Sequence, residues 1–266
     1  MIPYPQISPI LIQVGPFAIR WYGLMYLLSF IAAGFLTRKM SAKRNCHLTA
    51  DQISDLLSYV AIGVILGGRL GYVLFYNAGF YLSHPFKIMA VWEGGMSFHG
   101  GLLGAIVAGL LFCRRQKLPY YEVADVAILS VPIGLGLGRV GNFINGELFG
   151  RPTDLPWCMV FPQADDLCRH PSQLYQVFLE GVVLFSILWW LSKKKRETGI
   201  LFWSFILFYG LFRFGVEFVR QPDAHISFII GPFSMGQLLS FPMFVVGLGK
   251  VVWLIYKGEL NKNLRG

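Results

Sequence analysis

Gly134-Leu-Gly-Leu-Gly-Arg139-Val-Gly-Asn142-Phe-Ile-Asn145-Gly-Glu147-Leu-Phe-Gly150 closes a long apolar run, then presents an arginine, two asparagines and a glutamate. Ionisable groups at membrane depth are expensive and persist mainly where they line a cavity or meet a charged ligand. Gly134, Gly138 and Gly141 share one helical face, so a neighbouring helix or a lipid headgroup can approach the backbone closely. Taken alone, the stretch also fits a tightly packed helix ending in a polar cap. What other helices bring to the same depth decides between the two readings.

Outward from this stretch, the 266-residue chain is 55% hydrophobic and only 14% charged. A soluble domain carries nearer a quarter charged residues. Apolar runs recur at about 17–37, 53–76, 96–113, 122–142, 172–191, 199–219 and 235–256. Each is long enough for a hydrocarbon core about 30 Å thick. The expected fold is all-α: one polytopic membrane bundle over residues 1–266 with seven transmembrane helices. No soluble-sized insert or Ser/Pro-rich linker divides it.

The net charge of +9 invites a nucleic-acid reading, but the distribution of basic residues argues against that partner. They cluster at Arg38, Lys39, Lys43 and Arg44, at Arg114, Arg115 and Lys117, at Lys193 to Arg196, and at Lys257, Lys262 and Arg265. These clusters occupy alternate connections, whereas the opposite ones hold only Lys87, Arg151, Arg169 and Arg220. By the positive-inside rule the N-terminus is outside and the C-terminus inside. Two outer segments follow, about 77–95, rich in aromatics that include Trp92, and about 143–170. Cys46 and Cys113 fall on the reducing side, whereas Cys158 and Cys168 share an outer loop and could pair there. No CxxC pair and no HExxH occurs, so neither a metal nor a cofactor is expected.

With this orientation, polar residues converge in the outer half of the bilayer. Tyr22, Arg69, His99, Arg139 and Asn142 lie near the outer ends of their spans, and His170, Gln173 and Tyr175 open the fifth. On the sixth, Tyr209, Arg213 and Glu217 are spaced i, i+4, i+8, which makes one polar stripe. Glu180, Asp125 and Glu122 read as inter-helix partners. Arg213 and Glu217 can simply neutralise each other. His99 precedes two glycines as in a lipase oxyanion loop, but no Gly-x-Ser-x-Gly elbow supports a serine hydrolase. The arginines outnumber nearby acids, which suits an anionic ligand gripped bidentately. At that depth the anion is an outer-leaflet phospholipid headgroup. A lipid transporter or scramblase would use the same arginines, although no inverted repeat pairs the spans.

Gly138-Arg139-x-Gly141-Asn142-x-x-Asn145-Gly146-Glu147-x-x-Gly150 resembles the signature of the prolipoprotein diacylglyceryl transferases, bacterial enzymes of lipoprotein maturation. The likeness extends to Arg20-Trp21-Tyr22-Gly23, Gly68-Arg69-Leu70-Gly71, Ser97-Phe98-His99-Gly100-Gly101, His170-Pro171-Ser172-Gln173 and Tyr209-Gly210-x-x-Arg213-Phe214-x-x-Glu217. It implies transfer of the diacylglyceryl group of phosphatidylglycerol to the thiol of a prolipoprotein lipobox cysteine. A thioether forms and glycerol 1-phosphate leaves, at an inner-membrane site facing the periplasm. On this reading Arg139 grips the lipid phosphate and Arg213, positioned by Glu217 and Tyr209, stabilises the growing charge. Asn142, Asn145, Glu147, Gly150, Tyr22 and Arg69 complete the substrate site, and His99 is the candidate thiol base.

Overall fold

A computed structural model describes all residues except 16, 45, 92, 93, 195, 223–227, 231, 232 and 264–266. Of residues 76, 98, 99, 228–230, 262 and 263 it describes the backbone alone. Trp92, Lys195 and Arg265, together with the side chains of His99 and Lys262, therefore lie outside the described residues. The protein is mostly helical. Four described helices are long and apolar enough to cross a membrane: Ala50–Phe75, Tyr120–Ile144, Ser172–Ser192 and Met235–Asn261. Ile200–Val216 is a shorter apolar helix.

The chain divides into two compact units, one of Met1–Leu36 with Ala127–Gly266, the other of Thr37–Val126. The first opens on strands β1 (Ile10–Val14) and β2 (Phe17–Arg20), an antiparallel hairpin pairing Val14 with Phe17. Residues 17–20, expected to begin the first span, are strand instead. Gly15, at φ 57, takes the left-handed turn that this tight reversal needs. Helix α1 (Trp21–Lys43) starts only after it, with Trp21 N–H donating to Pro9 O at 3.1 Å.

In the second unit, α2 (Ala50–Tyr76) begins on a capping box in which Thr49 and Gln52 satisfy each other's backbone N–H. After α3 (Ala78–Ser83) and a 3-10 turn (Pro85–Met89) comes α4 (Phe98–Gln116), packed on α2 through glycines. A Cβ on Gly67 would strike the Gly100 carbonyl, and one on Gly104 the Gly63 carbonyl, so the two backbones touch. Helix α5 (Tyr120–Ala127) follows, and its buried Asp125 pairs with Arg44 at 3.4 Å. Cys46 and Cys113 are free and buried.

The first unit holds the remaining elements. A short 3-10 turn leads into α6 (Val131–Ile144), and after a long loop come α7 (Ser172–Gln176), a π-helical turn (Val177–Val183) and α8 (Leu184–Ser192). Then follow α9 (Ile200–Val216), a second hairpin of β3 (Phe228–Ile230) and β4 (Phe233–Ser234), and α10 (Met235–Asn263). The two small hairpins depart from an all-helical fold. Helix α6 packs on α7 and the π-helical turn, and α9 packs on α10. Gly210 makes the last contact close, since a Cβ there would stand 2.7 Å from Phe244 N.

Candidate active site

Two glycines press α6 against the π-helical turn: a Cβ on Gly136 would lie 3.3 Å from the Cα of Gly181. This crossing carries Glu180 to Arg139, one turn beyond Gly136, and to Arg213 of α9. The Glu180 side chain is wholly buried. Its Oε2 stands 3.9 Å from Arg139 Nε and its Oε1 stands 3.9 Å from Arg213 Nη1. Those are ion-pair separations, longer than hydrogen bonds. Neither carboxyl oxygen accepts a hydrogen bond among the described residues.

Glu217, at the C-terminal cap of α9, is held quite differently. Its Oε1 lies 2.5 Å from Arg213 Nη2 and 3.4 Å from Arg220 Nη1, and its Oε2 accepts from the Ser234 hydroxyl at 2.6 Å. Ser234 is itself fixed at the head of α10. Its Oγ accepts from Gln237 N–H while its own N–H donates to Gln237 Oε1. Gly236 leaves room for the carboxylate, since a Cβ there would stand 2.5 Å from Glu217 Cδ. The expected neutralisation of Arg213 by Glu217 is thus present, and the same carboxylate is shared with Arg220. Among the described residues, Arg139, Arg213 and Arg220 face the buried carboxylates of Glu180 and Glu217.

Asn142 separates a third carboxylate from this cluster. Arg139 Nη1 donates to Asn142 Oδ1 at 3.3 Å, and Asn142 Nδ2 donates to Glu147 Oε1 at 2.9 Å. Asn145 Nδ2 donates to the same oxygen at 3.2 Å. The Tyr22 ring lies on Gly141, where a Cβ would come within 2.6 Å of it. Tyr209, one turn before Arg213, is 2% exposed and stacks on Phe205.

The loop after α6 is fastened to α7 and to the end of α9. Gln173 Nε2 donates to Glu147 O at 2.7 Å and Ser172 Oγ to Leu148 O at 3.0 Å. These bonds hold Leu148 at φ 60, a left-handed conformation costing a side-chain-bearing residue about 1–2 kcal/mol. Gly150 then passes between two strands of backbone. A Cβ on it would lie 2.6 Å from His170 O and 2.7 Å from Val219 O. Arg151 donates to Arg220 O at 3.0 Å and to Glu217 O at 3.3 Å. Beyond it, Cys158 and Cys168 are bridged, and Arg169 pairs with Asp165 at 2.6 Å. That bidentate contact holds the exposed Asp165 carboxyl below the usual carboxylate range.

Arg69 and His99 belong to the other unit. Arg69 donates to the carbonyls of Ile88 (2.9 Å), Gly94 (2.5 Å), Gly95 (3.2 Å) and Lys87 (2.6 Å). Its guanidinium also lies 5.1 Å from the Tyr81 ring centre. These contacts make it a clasp for the segment that follows α3.

Against this geometry, a family model described as prolipoprotein diacylglyceryl transferase matches residues 9–253. The chain belongs to that family. It is similar to the phosphatidylglycerol–prolipoprotein diacylglyceryl transferase of Geobacter sulfurreducens, at 57% identity over 249 residues, covering 94% of this chain and 96% of that protein. The same-named protein of Bordetella avium is 53% identical over 93% of this chain and 95% of its own length. That of Vibrio atlanticus is 49% identical over 99% and 96%.

Within this family member the structure gives the site's carboxylates their specific partners. Arg220, Ser234 and Arg151 brace Glu217 or its backbone, and Glu180, read as an inter-helix partner, meets arginines of two other helices. One signal was available: a carboxylate inside an otherwise apolar run, as at Glu180, marks a buried charge with specific partners. Gly150 is the point at which three backbone segments meet.

Proposed function

We propose that this membrane protein transfers the diacylglyceryl group of phosphatidylglycerol to a prolipoprotein lipobox cysteine, acting as one transferase domain over residues 1–266. In this reading seven spans run from an outside N-terminus to an inside C-terminus, in a bacterial inner membrane, with the site facing the periplasm. The four basic clusters in alternate connections support that orientation, and the Cys158–Cys168 bridge suits an oxidising compartment. The observation that carries the chemistry is the burial of Arg139 and Arg213 beside one carboxylate to which neither donates a hydrogen bond.

The thiol sulfur attacks the glyceryl carbon of the outer-leaflet lipid. A carbon–sulfur bond forms, the carbon–oxygen bond breaks, and its electron pair leaves on the phosphate. The thiol proton goes to the base, so glycerol 1-phosphate departs with one more negative charge than the lipid phosphodiester. Arginines fixed where that charge gathers favour the transition state over the ground state. Arg139 grips the phosphate and Arg213, braced by Glu217, takes the growing charge. Asn142, Asn145 and Glu147 shape the headgroup site, with Tyr22 as a wall. His99 is the proposed acceptor of the thiol proton.

Incubating purified protein with phosphatidylglycerol and a lipobox peptide should add one diacylglyceryl unit to the peptide mass. Peptide that stays unmodified while lipid crosses the bilayer would make the protein a lipid transporter instead. A His99→Gln protein with full activity and an unchanged pH profile would remove that residue from the mechanism.

A further inference from the structure

The two buried carboxylates beside Arg213 are built on different plans. Glu217 is fixed on both oxygens, by Arg213 and Arg220 on one and by the Ser234 hydroxyl on the other. Glu180 is equally buried, stands between two guanidinium groups, and accepts no hydrogen bond among the described residues. A carboxylate meant only to brace arginines would close to hydrogen-bonding distance, as Glu217 does, because a buried acceptor left unmade forfeits most of its interaction. Glu180 also sits midway along a π-helical turn, Val177–Val183, a wide and costly form of helix found mostly at functional sites.

We propose that Glu180 is a positioning residue that acts as an internal counter-anion. It keeps Arg139 and Arg213 adjacent when no phosphate is bound, and it limits how tightly they hold the phosphate product. The inference rests on the transferase reading. A phosphodiester enters with one negative charge, and the glycerol phosphate that departs is a phosphomonoester able to carry more. Without Glu180, Arg139 beside a Glu217-paired Arg213 would carry an excess of positive charge and hold that product longer than the substrate. Like charge a few ångströms away, where water is scarce, offsets this directly. Glu180 thus sets the pace of product release through the arginines, without itself touching the reacting atoms.

The test measures inhibition by glycerol 1-phosphate, the KM for phosphatidylglycerol and kcat in the purified full-length protein, wild type against Glu180→Gln and Glu180→Asp. For Glu180→Gln the inhibition constant should fall about tenfold, on the scale of a lost unit charge at this depth. KM should fall with it, and kcat should drop while the first turnover keeps its rate. Glu180→Asp, which draws the charge back by one methylene, should lie between. An inhibition constant that is unchanged or raised in Glu180→Gln overturns the proposal, because a purely structural role would weaken product binding. If Glu180→Gln does not fold, the same comparison between Glu180→Asp and wild type decides. A wild-type protein that fails to modify the peptide would defeat the transferase reading; normal wild-type turnover without the shift defeats only this inference.

Discussion

Arg139 and Arg213 come from different helices and face opposite oxygens of one carboxylate, each at 3.9 Å. Two guanidinium groups this close repel in the interior unless an anion lies between them, and burying all three is costly for stability. A fold that accepts that cost keeps both cations in place for something besides packing. The arrangement differs from a simple ion pair because Arg213 already has a full partner in Glu217 at 2.5 Å.

The guanidinium fork of Arg213 therefore matters beyond its charge. It spans from Glu217 on one nitrogen to the Glu180 side on another, which a lysine ammonium cannot do. Arg213→Lys should lower kcat about a hundredfold or more while leaving the protein folded, as expected for removing one charge-stabilising contact. Single-turnover rates with saturating lipid measure it, and a loss under fivefold would show that charge alone suffices.

Asn142 accepts from Arg139 and donates to Glu147, so an amide is the one group of this size that satisfies both neighbours. Asn142→Asp keeps the shape but replaces the donor with a carboxylate facing Glu147, while adding an anion against Arg139. Turnover should fall further than in Asn142→Ala, because the new charge occupies the arginine that must meet phosphate. The order of the two rates is the measurement. Equal losses would mean that Asn142 serves only to fix Glu147.

Gly236 has no side chain because the Glu217 carboxylate lies where its Cβ would be. Glu217 cannot step aside without releasing Arg213, Arg220 and Ser234. Gly236→Ala should therefore cost about 1–3 kcal/mol of stability, as overpacking does, and depress activity more than that loss alone explains. Thermal unfolding beside kcat/KM separates the two effects.

What could be read from the chain followed from periodicity and composition. Tyr209, Arg213 and Glu217 form a stripe because a helix repeats every three to four residues, and the structure keeps all three on α9 or its cap. Contacts made to backbone leave no such trace. The carbonyls of residues 87, 88, 94 and 95 that Arg69 meets could belong to any residue type, so those partners were not legible. The segments enclosing Gly150, at His170 and Val219, are distant in sequence, so its tight packing was not legible either. The π-helical turn has no composition of its own, so which arginines Glu180 would meet was not legible. The β1–β2 hairpin was hidden by its apolar residues, which continue the pattern of the span that follows.

His170 closes the loop over Gly150 and carries a pH dependence. The Tyr175 hydroxyl accepts from Trp157 Nε1 at 2.7 Å and is within hydrogen-bonding distance of His170 Nδ1, at 3.2 Å. Burial pushes the imidazole below its ordinary value. A group depressed in the native state binds fewer protons there than in the unfolded chain. Its contribution is thus complete above the usual imidazole pKa of about 6.5 and is lost as pH falls through the native value. Amide exchange in the loop that ends at His170 should accelerate between about pH 7 and pH 5, and the same change should vanish in His170→Gln. If loop exchange, corrected for its intrinsic pH dependence, stays flat across that interval in the wild type, the His170–Tyr175 contact does not hold the loop.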